Sequence, residues 1–196
     1  MGQARLAAHS KKARRLGATI VFADETGLMM APLVRRTWAP CGKTPILKHA
    51  TRSHRKVSAM GAVALSAGRR RVRLMFRLLP DANFGANECV AFLRQLKQNT
   101  TGSVILIWDR LLAHRSKKVE RFLAGQSRLE IELLPPYAPE LNPTEYIWSY
   151  LKTCVMANHT PHDTEHLRAD AKAALCDLRR QRDLIKRTIR RCHLLR

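Results

Sequence analysis

Three acidic residues stand at places where a folded chain could gather them. Asp24 follows the apolar run Ala18 to Ala23, Asp109 follows Val104 to Trp108, and Glu145 follows Asn142-Pro143-Thr144. Carboxylates brought together without partners repel one another and raise each other's pKa. A divalent cation removes that cost, and an all-oxygen ligand set selects Mg²⁺ or Mn²⁺ over zinc. Two such ions about 3.5–4 Å apart activate a water and stabilise the leaving 3′ oxygen of a phosphodiester. Asp24, Asp109 and Glu145 are therefore candidate catalytic residues and candidate metal ligands at once. Each has a plainer reading beside this one. An Asp after a strand is often a turn or cap residue, and a Glu at the third helical position behind an Asn N-cap is close to a capping box.

The elements around them can be read from pattern. Ala18 to Ala23 has strand character and runs into Asp24-Glu25-Thr26-Gly27, a turn signal. Residues 28–55 are irregular and basic. Lys56 to Leu65 and Arg70 to Leu79 read as two strands joined through Ser66-Ala67-Gly68-Arg69, short enough for a hairpin. Asn83 to Lys97 is helical by spacing. Val104 to Trp108 is continuously apolar, as in a strand covered on both faces. Ser116 to Leu123 suits a helix capped by Ser116. Leu129 to Leu134 is a fifth strand, stopped by Pro135 and Pro136, which donate no ladder hydrogen bond. Asn142 then caps a helix with Pro143 at its first position. Thr164 to Leu195 reads as one basic helical stretch. Three sequential strands followed by alternating helix and strand give an α/β class, one mixed five-stranded sheet with helices on both faces.

Composition narrows the partner. Lys plus Arg number 36 against 15 Asp plus Glu, a formal net charge of +21 over 196 residues. That excess points to a polyanion, foremost nucleic acid. No apolar run is long enough to span a bilayer, and the N-terminus lacks a signal-peptide core. The five cysteines are scattered without a CxxC, which suits reduced thiols in a cytoplasmic setting.

Several short segments together resemble the catalytic domain of bacterial insertion-sequence transposases related to mariner elements, the DDE superfamily. They are Ala23-Asp24-Glu25-Thr26-Gly27, Trp38 with Gly42, Asp109 with Ala113-His114, Pro135-Pro136-Tyr137-Ala138-Pro139, and Leu141-Asn142-Pro143-Thr144-Glu145 with Trp148 and Lys152. The resemblance covers roughly residues 11–160. It implies a ribonuclease H-like fold and divalent-metal-dependent cleavage of double-stranded DNA at element ends. Strand transfer by the freed 3′ hydroxyl, commonly into a TA target, goes with it. It also implies an upstream helix-turn-helix portion, which these residues do not contain, and a nucleoid-associated bacterial protein, with a homodimer as one arrangement. The expected division is a basic linker over 1–17, the catalytic domain over 18–160 and a basic helical extension over 161–196. One departure stands out: relatives carry Asn after the second Asp, where this chain has Arg110.

Other residues carry weaker readings. Lys152, Arg35, Arg36, Lys43 and His114 are candidate DNA contacts. Glu25 alternates to the side of the strand opposite Asp24 and reads as structural or as an accessory carboxylate. His114 either approaches the site or a phosphate, or caps the next helix. Cys154, His159, His162 and His166 invite zinc but fit no standard finger spacing. Trp38 and Trp148 read as core residues rather than stacking platforms. Two alternatives accompany the transposase reading: a ribonuclease H-like nuclease, and a non-catalytic DNA-binding remnant of an inactive element.

Overall fold

Val104–Trp108 is apolar at every position because both faces of this strand are covered. It is the fourth strand of a five-stranded sheet. The computed structural model describes residues 11–48, 55–68, 70–109, 111–135 and 138–192. Its strands are β1 Thr19–Met29, β2 Lys56–Leu65, β3 Val72–Pro80, β4 Val104–Trp108 and β5 Leu129–Leu133. They lie side by side in the order β3-β2-β1-β4-β5. The first three form an antiparallel meander, while β4 pairs parallel to β1 and β5 parallel to β4. The sheet is therefore mixed, as the order of elements implied.

Helices cover both faces. Residues 11–16 form a short helix, α1, which packs Ala13 beside Ile20 and Phe22 of β1 and pairs Lys12 with Glu130 of β5. On one face α2 (Ala86–Asn99) and α3 (Lys117–Ala124) pack Phe92, Leu93, Leu96 and Val119 against Val21, Ala62, Leu106 and Trp108. On the other, α4 (Pro143–Tyr150), α5 (Thr164–Arg180) and α6 (Arg182–Arg191) bring Trp148, Leu167, Leu175, Ile185 and Ile189 onto β2 and β3. The basic C-terminal helices thus share a core with the sheet. Among the described residues no helix is long and apolar enough to cross a membrane.

Four local expectations are corrected. Asp24-Glu25-Thr26-Gly27 is not a turn: β1 continues to Met29, because Asp24 through Met29 pair residue for residue with Gly61 back to Lys56 of β2. Ladder pairing here overrides the turn preference of the side chains. The stretch from Thr164 is two helices, parted at Gln181, whose ψ of 66° is not helical. α2 starts at Ala86, where Glu88 can reach back to the N–H of Gly85, three residues later than the spacing suggested. Trp38 is fully exposed, since the described residues between β1 and β2 carry no strand or helix to bury it. Trp148, by contrast, lies in the core. Arg110, Pro136 and Tyr137 fall outside the described residues, as do parts of the 1–17 and 28–55 segments.

Candidate active site

Parallel pairing of β1 with β4 brings the two aspartates level. The last register pairs are Val21 with Leu106 and Phe22 with Ile107. Continuing that register past the end of β4 sets Asp24 opposite Asp109. Because β4 stops at Trp108 while β1 runs on to Met29, β1 has an uncovered edge there. Neighbouring strand residues point to opposite faces, yet a group beyond this edge is reachable from both. One oxygen each of Asp24, Glu25 and Asp109 lies within 4.8 Å of the other two. Glu25 is thus nearer the site than its alternation suggested.

Glu145 arrives on α4. The Asn142 side chain caps that helix by accepting from Thr144 N–H at 3.1 Å, and Pro143 occupies the position where a missing N–H is harmless. Two further bonds tie this helix start to β1 just before Asp24. The Thr144 hydroxyl donates to the Phe22 carbonyl at 2.8 Å, and the Asn142 amide donates to the Ala23 carbonyl at 3.4 Å. The Trp148 indole meets β2 at Gly61, the residue paired with Asp24. A methyl group on Gly61 would come 2.5 Å from the indole. The capping-box reading of Glu145 fails, because the Asn142 N–H goes to the Pro139 carbonyl at 2.9 Å. No described residue hydrogen-bonds the Glu145 carboxylate.

The electrostatics follow from this crowding. Asp24 is buried, and burial first, then the charges of Glu145, Glu25 and Asp109, push its pKa up to about 8. Its Oδ2 is buried without a hydrogen-bond partner among the described residues. Glu145 is exposed as a residue, but loss of solvent around its carboxyl raises its pKa. Lys152 opposes that shift and Asp109 adds to it. Burial lowers the pKa of Lys152 against the pull of Glu145 and Asp24. Lys152 lies in a single wide helical turn, Leu151–Val155, that extends α4 and leaves Val155 on the surface. Such turns within helices recur at functional sites.

His114 sits behind the cluster, its side chain only 3% exposed. Nδ1 is 2.7 Å from Asp109 Oδ1 and Nε2 is 2.8 Å from Glu25 Oε1. Burial works against its charge, but bonds to Asp109, Cys89 and Glu25 outweigh burial and push its pKa up to about 11. A direct phosphate contact by His114 finds no geometric support, since both nitrogens face carboxylates. Nor does His114 cap α3, which is capped by the Ser116 hydroxyl. Arg35 and Arg36 line an open hollow with Val34 and Thr153, next to Lys152 in sequence. Asn158 fixes that segment, accepting from Arg35 N–H at 2.7 Å and donating to its carbonyl at 3.0 Å. Lys43 is exposed in the turn that its N–H closes with Pro40. The histidine group is built for structure instead: His159 and His166 share Asp170 Oδ2 at 2.9 and 3.0 Å. Among the described residues, ligand-type atoms gather in threes only at Asp24, Glu25 and Asp109 and at Glu25, Cys89 and His114.

Residues 19–168, which carry all three carboxylates, match the DDE superfamily endonuclease family. The chain belongs to that family. This DDE endonuclease chain is also similar in fold to solved mariner transposase structures. The Mos1 transposase paired-end complex with left transposon end shares 20% identity at a TM-score of 0.66, covering 97% of this chain and 56% of that one. The Mos1 mariner paired end complex with Mn shares 19% at 0.64, covering 99% and 57%. The catalytic domain of Mos1 mariner transposase shares 18% at 0.59, covering 98% and 85%. The DDE endonuclease sheet is thus ribonuclease H-like. The chain spans little more than half the length of the transposases in the two complexes. No curated protein matches it.

Proposed function

We propose that this chain is the catalytic domain of an insertion-sequence transposase, cutting DNA at element ends and joining the freed 3′ hydroxyl to a target. The observation that carries the reading is the convergence of Asp24 and Asp109 at an uncovered sheet edge, with Glu145 near enough for its charge to raise the Asp24 pKa and Asp24 Oδ2 buried without a partner among the described residues. An all-carboxylate donor set with an orphaned buried oxygen fits Mg²⁺ or Mn²⁺. Asp24, Asp109 and Glu145 would hold the ions, with Glu25 alongside. When bound, divalent cations supply an activated water and stabilise the leaving 3′ oxygen. The similarity to Mos1 complexes with Mn and with Mg supports this choice.

The chain's own side chains do the rest. Glu145 and Asp24 sit where charge must be neutralised before a phosphodiester can approach. Lys152, attracted by both and short of solvent, meets a phosphate oxygen. Arg35, Arg36 and, farther along the same segment, Lys43 neutralise the backbone on either side. Residues 18–160 form the catalytic unit, with 1–17 as a linker and 161–196 as a helical extension built onto it. Duplex DNA with element ends is the substrate, and a TA-containing duplex is the target. The exposed Trp38 is available to a second copy, and a helix-turn-helix portion reads the ends. The setting is the cytoplasm of a bacterium, at the nucleoid.

The test is nicking and strand transfer on labelled duplex in Mg²⁺ or Mn²⁺, comparing the wild type with Asp109→Asn. The variant should stay folded, bind DNA and cut nothing. Undiminished cutting by the folded variant contradicts the proposal.

A further inference from the structure

Behind the carboxylates lies a buried histidine that touches two of them. The His114 ring is wedged between two acids on different elements, Asp109 after β4 and Glu25 within β1. It stacks on Trp108, with ring centroids 3.6 Å apart and planes 30° from parallel. An imidazole has a fixed separation between its two nitrogens. A ring that cannot turn therefore sets the spacing of the oxygens it holds. Asp109 Oδ1 accepts from His114 and, at 3.2 Å, from Leu111 N–H. Its Oδ2 makes no hydrogen bond among the described residues. Glu25 repeats the pattern: Oε1 is held by His114, while Oε2 is buried without a partner among the described residues. Each acid has one oxygen fixed by the ring and the other left over, and both acids place an oxygen within 4.8 Å of Asp24.

We propose that His114 is a positioning residue, a strut that holds Asp109 and Glu25 with their remaining oxygens turned toward the divalent-cation site, Glu25 being a fourth carboxylate of that site. The proposal rests on the cation-binding reading above. His114 is not itself a ligand, because both nitrogens are occupied by carboxylates. Without the strut, Asp109, whose side chain is 36% exposed at the end of β4, is free to swing into solvent and away from Asp24. Partners that orient a metal ligand through a hydrogen bond typically change metal affinity by about 10–100-fold when removed. A histidine that only filled the core would change the melting temperature and leave the affinity of the folded protein alone.

The experiment measures Mn²⁺ binding to the full chain by calorimetry, well below the melting temperature of each variant, together with the Mn²⁺ concentration for half-maximal nicking. His114→Ala should weaken Mn²⁺ binding by about 10–100-fold. The half-maximal concentration should rise in step, while the rate at saturating Mn²⁺ recovers most of the wild-type value. His114→Gln keeps side-chain volume and one donor, so it should lose less, and it serves where alanine unfolds the chain. Glu25→Gln keeps an acceptor for the ring but removes the anion, and it too should weaken Mn²⁺ binding. Affinities within twofold of wild type for the folded His114 variants overturn the strut while leaving the cation site standing. A wild type whose Mn²⁺ binding is unaltered by Asp24→Asn overturns the cation site, and the strut falls with it.

Discussion

Two of the described helices begin with a glutamate at the third position, and they use it in opposite ways. In α2, Glu88 turns back and accepts from Gly85 N–H at 3.0 Å, closing the helix start. In α4, Asn142 caps with its own side chain, its N–H is taken by Pro139, and Glu145 makes no bond to its own helix. Glycine at the α2 cap has no side chain to offer, so the glutamate must stabilise the turn. Asparagine at the α4 cap relieves the glutamate of that task and leaves its carboxylate beside Asp24, at a cost visible in the raised pKa of both. The same residue at the same helical position is structural in one place and chemically available in the other, and the capping residue decides which.

The largest expected effect separates these two glutamates. Glu145→Gln should lower cleavage by about a hundredfold or more, since a metal-binding carboxylate contributes several kcal/mol to transition-state stabilisation. Its melting temperature should hold. Glu88→Ala should do the reverse, leaving cleavage near wild type. A parallel cleavage assay and melting curve on both variants checks this, and equal activity loss in the two would erase the contrast.

Next in size is Gly61→Ala. The added methyl meets Trp148 at 2.5 Å, and the indole is buried. Overpacking of this kind costs about 1–3 kcal/mol. Because Trp148 and Glu145 share one short helix, cleavage should fall along with stability in denaturant melts. Stability lost with full activity retained would show that α4 tolerates displacement.

A smaller effect concerns pH. With its pKa raised to about 8, Asp24 in the cation-free protein contributes stability that is fully present below the ordinary carboxylate range. That contribution is lost as pH climbs through about 8. Asp24→Asn cannot ionise, so cation-free Asp24→Asn should melt higher than wild type at pH 9, with the gap narrowing as pH falls and closing only below the ordinary carboxylate range. Each kcal/mol corresponds to about 2–4 °C for a chain of this size. Saturating Mn²⁺ should remove the wild type's deficit at pH 9. The smallest effect is the Glu88→Ala loss of stability, about 0.5–1 kcal/mol for one cap interaction, measured by the same melts.

Much of this was legible in the chain. Val104 to Trp108 could only be a covered strand, and Asn142-Pro143-Thr144-Glu145 could only start a helix, because both signals are local. The level placement of Asp24 and Asp109 follows from two strand ends and one parallel pairing. Other features depend on distant partners. Asp24-Glu25-Thr26-Gly27 has the residues of a turn, and only the ladder with Gly61 back to Ser58 makes it strand. Trp38 has the residue type of a core, but no neighbouring element reaches it. The bridge from Glu25 through His114 to Asp109 was missed because Glu25 lies 89 residues from His114, although Asp109 is only 5 residues from it. A signal was available: an acidic pair at a strand's uncovered end and a histidine just after the second aspartate.

Asp24, Asp109 and Glu145 are proposed together as one site for hard cations. Diffraction from crystals grown with Mn²⁺, recorded at the manganese absorption edge, tests it most directly. The account predicts one or two anomalous peaks at bonding distance from Asp24 and Asp109 carboxylate oxygens, with Glu145 completing the set once DNA is present. Manganese absent from this sheet edge, or found instead at His159, His166 and Asp170, would contradict it.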